Sequence, residues 1–247
     1  TILAHPQRAQ TDLPLDDLNP HRSVEAEPLI SRHVLPTMVV VEEDFSLTPS
    51  LAAELPTLVS SDPQIVAWRL RDDAVWDDGT PITANDVKRT WEFITDPDSG
   101  SIGTAFYERI SDFAIQDDQN FTITFSEPVA PYGLMFSTNH PVIKAAALDQ
   151  YLASGGTAAS FLSDLTSMNF SGGPYRVSGF DSGNRVTLVR NEAWWGIPPN
   201  LEQINARSYT NSDDLLQALE AKDVDLAYLQ NPGATDGQTA RQIPDVD

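Results

Sequence analysis

Apolar and polar positions alternate along Ile65–Arg71, "IVAWRLR", so every second side chain faces one side of a strand. The same period of two marks Phe113 and Ile115, and then Phe121, Ile123 and Phe125. Turn-forming residues Asp117–Asn120 separate the two runs, which predicts a β-hairpin. A second hairpin is predicted over Ser171–Arg190, turning at Asp181–Asn184. Met38–Val41 reads as a short strand followed by a turn ending at Pro49. After Thr83 the period becomes helical: Val87, Trp91 and Ile94 form one apolar stripe at i, i+4 and i+7. Asp96-Pro97 stops that helix. Lys144–Leu152 predicts a short helix. Ser212 is expected to cap another, with Asp213 and Asp214 at its positive end and Leu215, Leu216 and Leu219 on its apolar side. Val224–Leu229 is expected to be a strand. Thr1–Pro36 reads as a short apolar start, a loop, and a polar helix or turn.

The stretch "VWDDGTPITANDV", Val75–Val87, raises a functional question. Its aspartates could hold a metal or face a phosphate, or they could build a turn. Gly79 can take positive φ and Pro81 fixes its own φ, which is turn chemistry. Thr83 and Asp86 have the spacing of a capping box, with Asp in place of Glu. The local reading is therefore a turn feeding a helix.

Composition narrows the function. The chain has 247 residues, 40% of them hydrophobic, enough to bury a core. Its 18 prolines and 13 glycines argue against an all-helical bundle. Net charge is −21, and such a surface repels nucleic acid and anionic lipid. The absence of cysteine excludes disulfides, thiolate metal sites and cysteine nucleophiles. No run of 18 apolar residues is present, and the first ten residues lack the apolar core of a signal peptide.

Candidate chemistry is sparse. Paired acids recur, at Asp16-Asp17, Asp72-Asp73, Asp77-Asp78, Asp117-Asp118 and Asp213-Asp214, and read as solvated turns and caps. Asp96–Glu108 imitates a calcium loop, but its glycine stands one position early and Glu108 one position late. His5, His21, His33 and His140 are isolated in sequence and are expected on surface loops. No nucleophile elbow, phosphate loop or dinucleotide fingerprint occurs. No catalytic residue, metal site or cofactor is expected. Trp194-Trp195 could stack on a sugar, but packing, with one core Trp and one partly exposed neighbour, is the reading preferred.

A set of motifs resembles the family 5 extracellular solute-binding proteins, the oligopeptide- and dipeptide-binding components of ABC importers. "AWRLRDDAVWDDGTPITANDVKRTWEFI" is similar to their strand, turn and helix signature, with Trp76, Asp78, Gly79, Pro81, Thr83, Ala84, Asp86 and Val87 fitting. "LAAEL", "GGPYRV" with "LVRNEAWWG", and "ALEAKDVDLAYL" resemble three further elements in the family's order. Lys222 stands where that family usually has glycine, which implies mild strain or a differently ended helix.

The resemblance implies an α/β fold: a periplasmic-binding-protein-like (type II) lobe with a mixed sheet and an inserted α+β subdomain, the second lobe lying beyond this chain. Residues 1–36 and 168–247 would be base-lobe segments and 37–167 the inserted subdomain. It implies a binder rather than an enzyme, taking peptides or another small solute in an interlobe cleft and presenting it to a membrane permease. The alternative is a cell-envelope lipoprotein of the same fold acting in glycolipid or cell-wall assembly. Location would be extracytoplasmic, periplasmic or lipid-anchored, and the protein monomeric. Carried over by motif, the ligand-contacting candidates are Phe106, Tyr107, Tyr228, Leu229 and Gln230.

Overall fold

A computed structural model describes residues 2–6, 21, 27–163, 169–181, 185–209 and 211–227. The chain opens with β1 (Ile2–Pro6) and α1 (Glu27–Val34). A small hairpin follows, β2 (Val39–Val41) and β3 (Leu47–Pro49), then β4 (Thr57–Ser61) and β5 (Gln64–Arg69). Next come α2 (Ala84–Thr95), β6 (Ile110–Ile115), β7 (Asn120–Phe125) and α3 (Ala145–Ala153). The last part holds β8 (Tyr175–Asp181), β9 (Arg185–Arg190), β10 (Gln203–Tyr209), α4 (Ser212–Glu220) and β11 (Leu226–Ala227).

Two larger sheets organise these elements. One is antiparallel, in the order β4-β5-β7-β6. Its inner face carries the period-two residues: Val66 and Trp68 on β5, Phe113 on β6, and Phe121, Ile123 and Phe125 on β7 are all buried. Their rings stack, Phe113 on Phe121 at 4.8 Å and Trp91 of α2 on Phe113 at 5.8 Å. The apolar stripe of α2 is thereby held to the sheet, with Val87 and Ile94 fully covered.

The other sheet is mixed, in the order β11-β1-β10-β9-β8. β1 runs parallel to both β10 and β11, whereas β10, β9 and β8 are antiparallel in succession. The chain thus leaves this sheet after its first strand and re-enters it at β8. In between it builds the antiparallel sheet, α2 and α3.

Both sequence-predicted hairpins form, the turn of the second (182–184) lying outside the described residues. The turn expected to end at Pro49 is instead a return strand, Leu47–Pro49, paired with Val39–Val41. β4 carried no alternation to find: it is an edge strand with Leu58 and Val59 largely exposed. The cap of α4 is Asn211, not Ser212. Its side chain accepts from the Asp214 N–H at 2.8 Å, and Ser212 becomes the first helical residue.

Lys222 adopts φ +60°, the left-handed region. Its N–H bonds the Leu219 carbonyl at 3.1 Å and the Asp223 N–H bonds that of Ala218 at 2.9 Å, a Schellman ending that favours glycine. Lys222→Gly is expected to raise stability by about 0.5–1 kcal/mol. An unchanged or lower urea midpoint would contradict the strain.

Candidate functional site

The Val75–Val87 turn is built from its own backbone. The Trp76 N–H bonds the Thr80 carbonyl at 2.8 Å, and Gly79 closes the corner at φ +81°. Asp77 is latched to a distant segment. Its N–H bonds the Ser171 carbonyl at 2.7 Å, and its carboxylate accepts from the Ser171 N–H at 2.9 Å. Asp78 accepts from the Thr80 N–H and hydroxyl and pairs with Lys144. Partial burial opposes its ionisation but is outweighed by those donors, and its pKa falls to about 2.

Asp86 completes the capping box on Thr83, accepting from the Thr83 N–H at 2.8 Å. Its other oxygen accepts from the Ala145 N–H at 2.8 Å, which joins the start of α2 to the start of α3. Burial raises its pKa, partly countered by these hydrogen bonds. Each of these carboxylates spends its lone pairs on the protein itself. A cavity of about 510 Å³ beside the turn is lined by these groups together with Asn85, Gln150 and Asn169. Among the described residues, no group of three or more His, Asp or Glu side chains is placed to hold a metal ion.

An edge of parallel strand ends lies elsewhere. β1, β10 and β11 are parallel, with Pro6 opposite Tyr209 and Ala4 opposite Ala227, so their carboxyl ends emerge on one side. Crevices outside the carboxyl ends of parallel strands are where α/β sheets bind ligands. Tyr209 stands at that edge, with the Arg207 guanidinium 5.7 Å over its ring. Its side chain also packs against the small apolar cluster of Leu215, Ala218 and Val224. Tyr228, Leu229 and Gln230 follow β11 directly and lie outside the described residues.

Phe106 and Tyr107 are adjacent but turn apart. Phe106 ends a 3-10 turn, Thr104–Phe106, and is 44% exposed. Tyr107 is 3% exposed: its hydroxyl accepts from the Phe136 N–H at 2.8 Å, and its carbonyl accepts from the Trp91 indole N–H at 3.1 Å. Burial holds its phenol well above the ordinary pKa. Tyr107 is therefore a wall and Phe106 a surface ring. Both border a cavity of about 500 Å³ with Val41, Leu134, Met135 and His140.

The histidines correct the sequence reading. His21 is fully buried rather than on a surface loop. Its ring lies 5.5 Å from those of both Phe93 and His140, and its carbonyl accepts from the Ile102 N–H at 2.8 Å. His140 packs 4.8 Å from Tyr107 and bonds the Ile102 carbonyl through Nε2 at 2.8 Å. His33 is half-buried against the Tyr175 ring. Residues 21, 93, 102, 107 and 140 meet only through the tertiary fold, so local spacing could not reveal them.

Burial lowers the pKa of His21, His33 and His140, of His21 most. A base whose folded pKa is depressed contributes stability that is complete above its ordinary value near 6.5 and is lost as pH falls below it. Stability is expected to drop between pH 6.5 and 5, by at most about 1.4 kcal/mol per pH unit for each histidine. Urea midpoints across that range should fall less steeply for His21→Gln than for the parent; equal slopes would contradict the assignment.

Trp194 and Trp195 are both half-buried, their centroids 4.2 Å apart. The Trp194 indole donates to the Ile197 carbonyl at 3.1 Å, and Arg71 lies 5.0 Å over Trp195. Trp195 packs against the main core while Trp194 does not, so the two rings divide as expected, with the core-side ring itself only half-buried.

Residues 46–246 match the family described as "Bacterial extracellular solute-binding proteins, family 5 Middle". The chain belongs to this family. This family 5 chain is 30% identical over 200 residues to the oligopeptide-binding protein OppA of Mycobacterium tuberculosis, covering 76% of the chain and 32% of that protein. It is 27% identical over 241 residues to the "Probable monoacyl phosphatidylinositol tetramannoside-binding protein LpqW" of the same species, covering 92% of the chain and 36% of that protein. Among solved structures, the periplasmic EDTA-binding protein EppA superimposes with a TM-score of 0.81 at 27% identity, over 98% of this chain and 46% of that one. The chain thus spans from about a third to just under half the length of these relatives, and its fold is the N-terminal portion of the periplasmic-binding-protein type. No helix among the described residues is long and apolar enough to cross a membrane.

Proposed function

We propose that this chain is one lobe of an extracytoplasmic solute-binding protein that delivers peptides or another small solute to an ABC permease. The observation that carries the reading is the shared carboxyl edge of β1, β10 and β11, in a chain that belongs to an extracellular solute-binding family. Residues 1–36 and 168–247 act as the base of the lobe and 37–167 as an inserted subdomain. Solute lies against the strand ends, where Tyr228, Leu229 and Gln230 follow β11, and against the Phe106–Tyr107 corner. A second lobe closes over it, and ligand favours the closed state through contacts to both lobes. The protein acts by binding alone, as a monomer, held in the envelope by a lipid anchor or free in the periplasm.

A second reading has a specific support. The match to LpqW extends over 92% of this chain, against 76% for the OppA of the same species. An envelope lipoprotein recognising a glycolipid headgroup would keep the same cleft. Thermal-shift measurements on the full-length protein separate the two. Short peptides raising the melting temperature support import, whereas a response confined to phosphoinositol mannoside headgroups supports the envelope role. No response to peptides, sugars, other small solutes or these headgroups would sink both.

A further inference from the structure

We propose that the cavity between β2, the Thr104–Phe106 turn and the Pro131–His140 segment receives an uncharged apolar side chain, or a comparable apolar group, of the bound solute. The proposal rests on the solute-binding reading above. Val41, Phe106 and Leu134 stand at its mouth, each 39–44% exposed, and Met135 is buried beneath them. Exposed apolar residues gathered around one concavity of about 500 Å³ are a binding feature rather than scattered surface.

The described lining is electrically neutral: among the described residues no Asp, Glu, Lys or Arg borders the cavity, although the chain carries 51 such residues, 36 acidic and 15 basic. Polar rim groups come from Ser137, Thr138 and Asn139. Burial lowers the pKa of His140, the imidazole among the described lining residues, and so favours its neutral form. A charged ligand group would shed its water here without gaining a partner, which is costly.

The walls are built stiff. Phe136 takes φ +55°, a left-handed conformation unfavourable for a bulky residue, and is fully buried. Two hydrogen bonds hold it there, its N–H to the Tyr107 hydroxyl and its carbonyl from the Met38 N–H, each 2.8 Å. Residues 137–140, which follow that bend, line the cavity. At Gly103, φ +70°, a Cβ would come within 3.2 Å of His140 Cε1, so glycine lets the imidazole seat. Strain held at a concave site points to function rather than to packing economy.

Saturation-transfer NMR on the full-length protein tests this with three blocked amino acids: N-acetyl-leucinamide, N-acetyl-lysinamide and N-acetyl-aspartate α-amide. The leucine probe is expected to bind about tenfold more tightly than either charged probe. Phe106→Ala and Leu134→Asp should each weaken it severalfold, and Leu134→Asp should improve the lysine probe. Both side chains are 44% exposed, so the variants fold, as an unchanged melting temperature will report. Equal binding of the three probes, or leucine-probe binding indifferent to both substitutions, overturns the proposal. If the leucine probe behaves as expected while no peptide stabilises the full-length protein, the cavity stands and the import reading fails. Peptide binding that ignores both substitutions has the opposite meaning.

Discussion

Replacing Trp76 by alanine is expected to cost about 3–5 kcal/mol of stability. Trp76 is 1% exposed and sits edge-on to Phe170 at 5.5 Å. It also lies over Gly172, where a Cβ would come within 2.9 Å of its ring. The indole therefore fills the space where the Asp77–Pro81 turn meets the segment entering β8. The indole N–H faces the Asp86 carboxylate but falls short of hydrogen-bond geometry, so the expected loss is one of packing and cavity formation. Urea unfolding monitored by far-UV circular dichroism measures it. A loss below about 1 kcal/mol would mean the ring is not the keystone of this junction.

Asp86→Ala is expected to cost about 2–4 kcal/mol, because it strands the N–H groups of Thr83 and Ala145, each worth about 1–3 kcal/mol when left unsatisfied. Removing a desolvated carboxylate returns part of that sum. Asp86→Asn keeps one acceptor oxygen and should cost about half as much. The pair of variants discriminates roles. If Asp86 only joins α2 to α3, both lower the melting temperature and leave solute affinity in the full-length protein unchanged. A variant of undiminished stability with lost binding would reassign this aspartate to the ligand.

Much of this was legible because the signals were local. Thr83 and Asp86 sit three apart, Gly79 and Pro81 fix a corner, and Phe121, Ile123 and Phe125 alternate over a buried face. Lys222 announced its backbone strain by standing where glycine is the ordinary helix ending. What failed was of two kinds. Asn211 displaced Ser212 as a cap because neighbouring polar residues can both serve, and only the backbone decides which is extended. The burial of His21 and of Tyr107 depends on partners up to 119 and 33 residues away, a distance no periodicity can report. The cavity at Phe106 was half visible. Its aromatic corner followed from motif resemblance, whereas its opposite walls come from Val41 and Leu134, which carry no chemical signature.

The central claim is that the strand ends bind solute while the Asp77–Thr83 turn only holds shape. Hydrogen–deuterium exchange on the full-length protein, with and without the solute that stabilises it most, tests this directly. Protection should gather in the peptides that follow β1, β10 and β11 and in those around Phe106, with the Asp77–Thr83 turn unchanged. Protection centred on that turn, with exchange at the strand ends unaltered, would contradict the account.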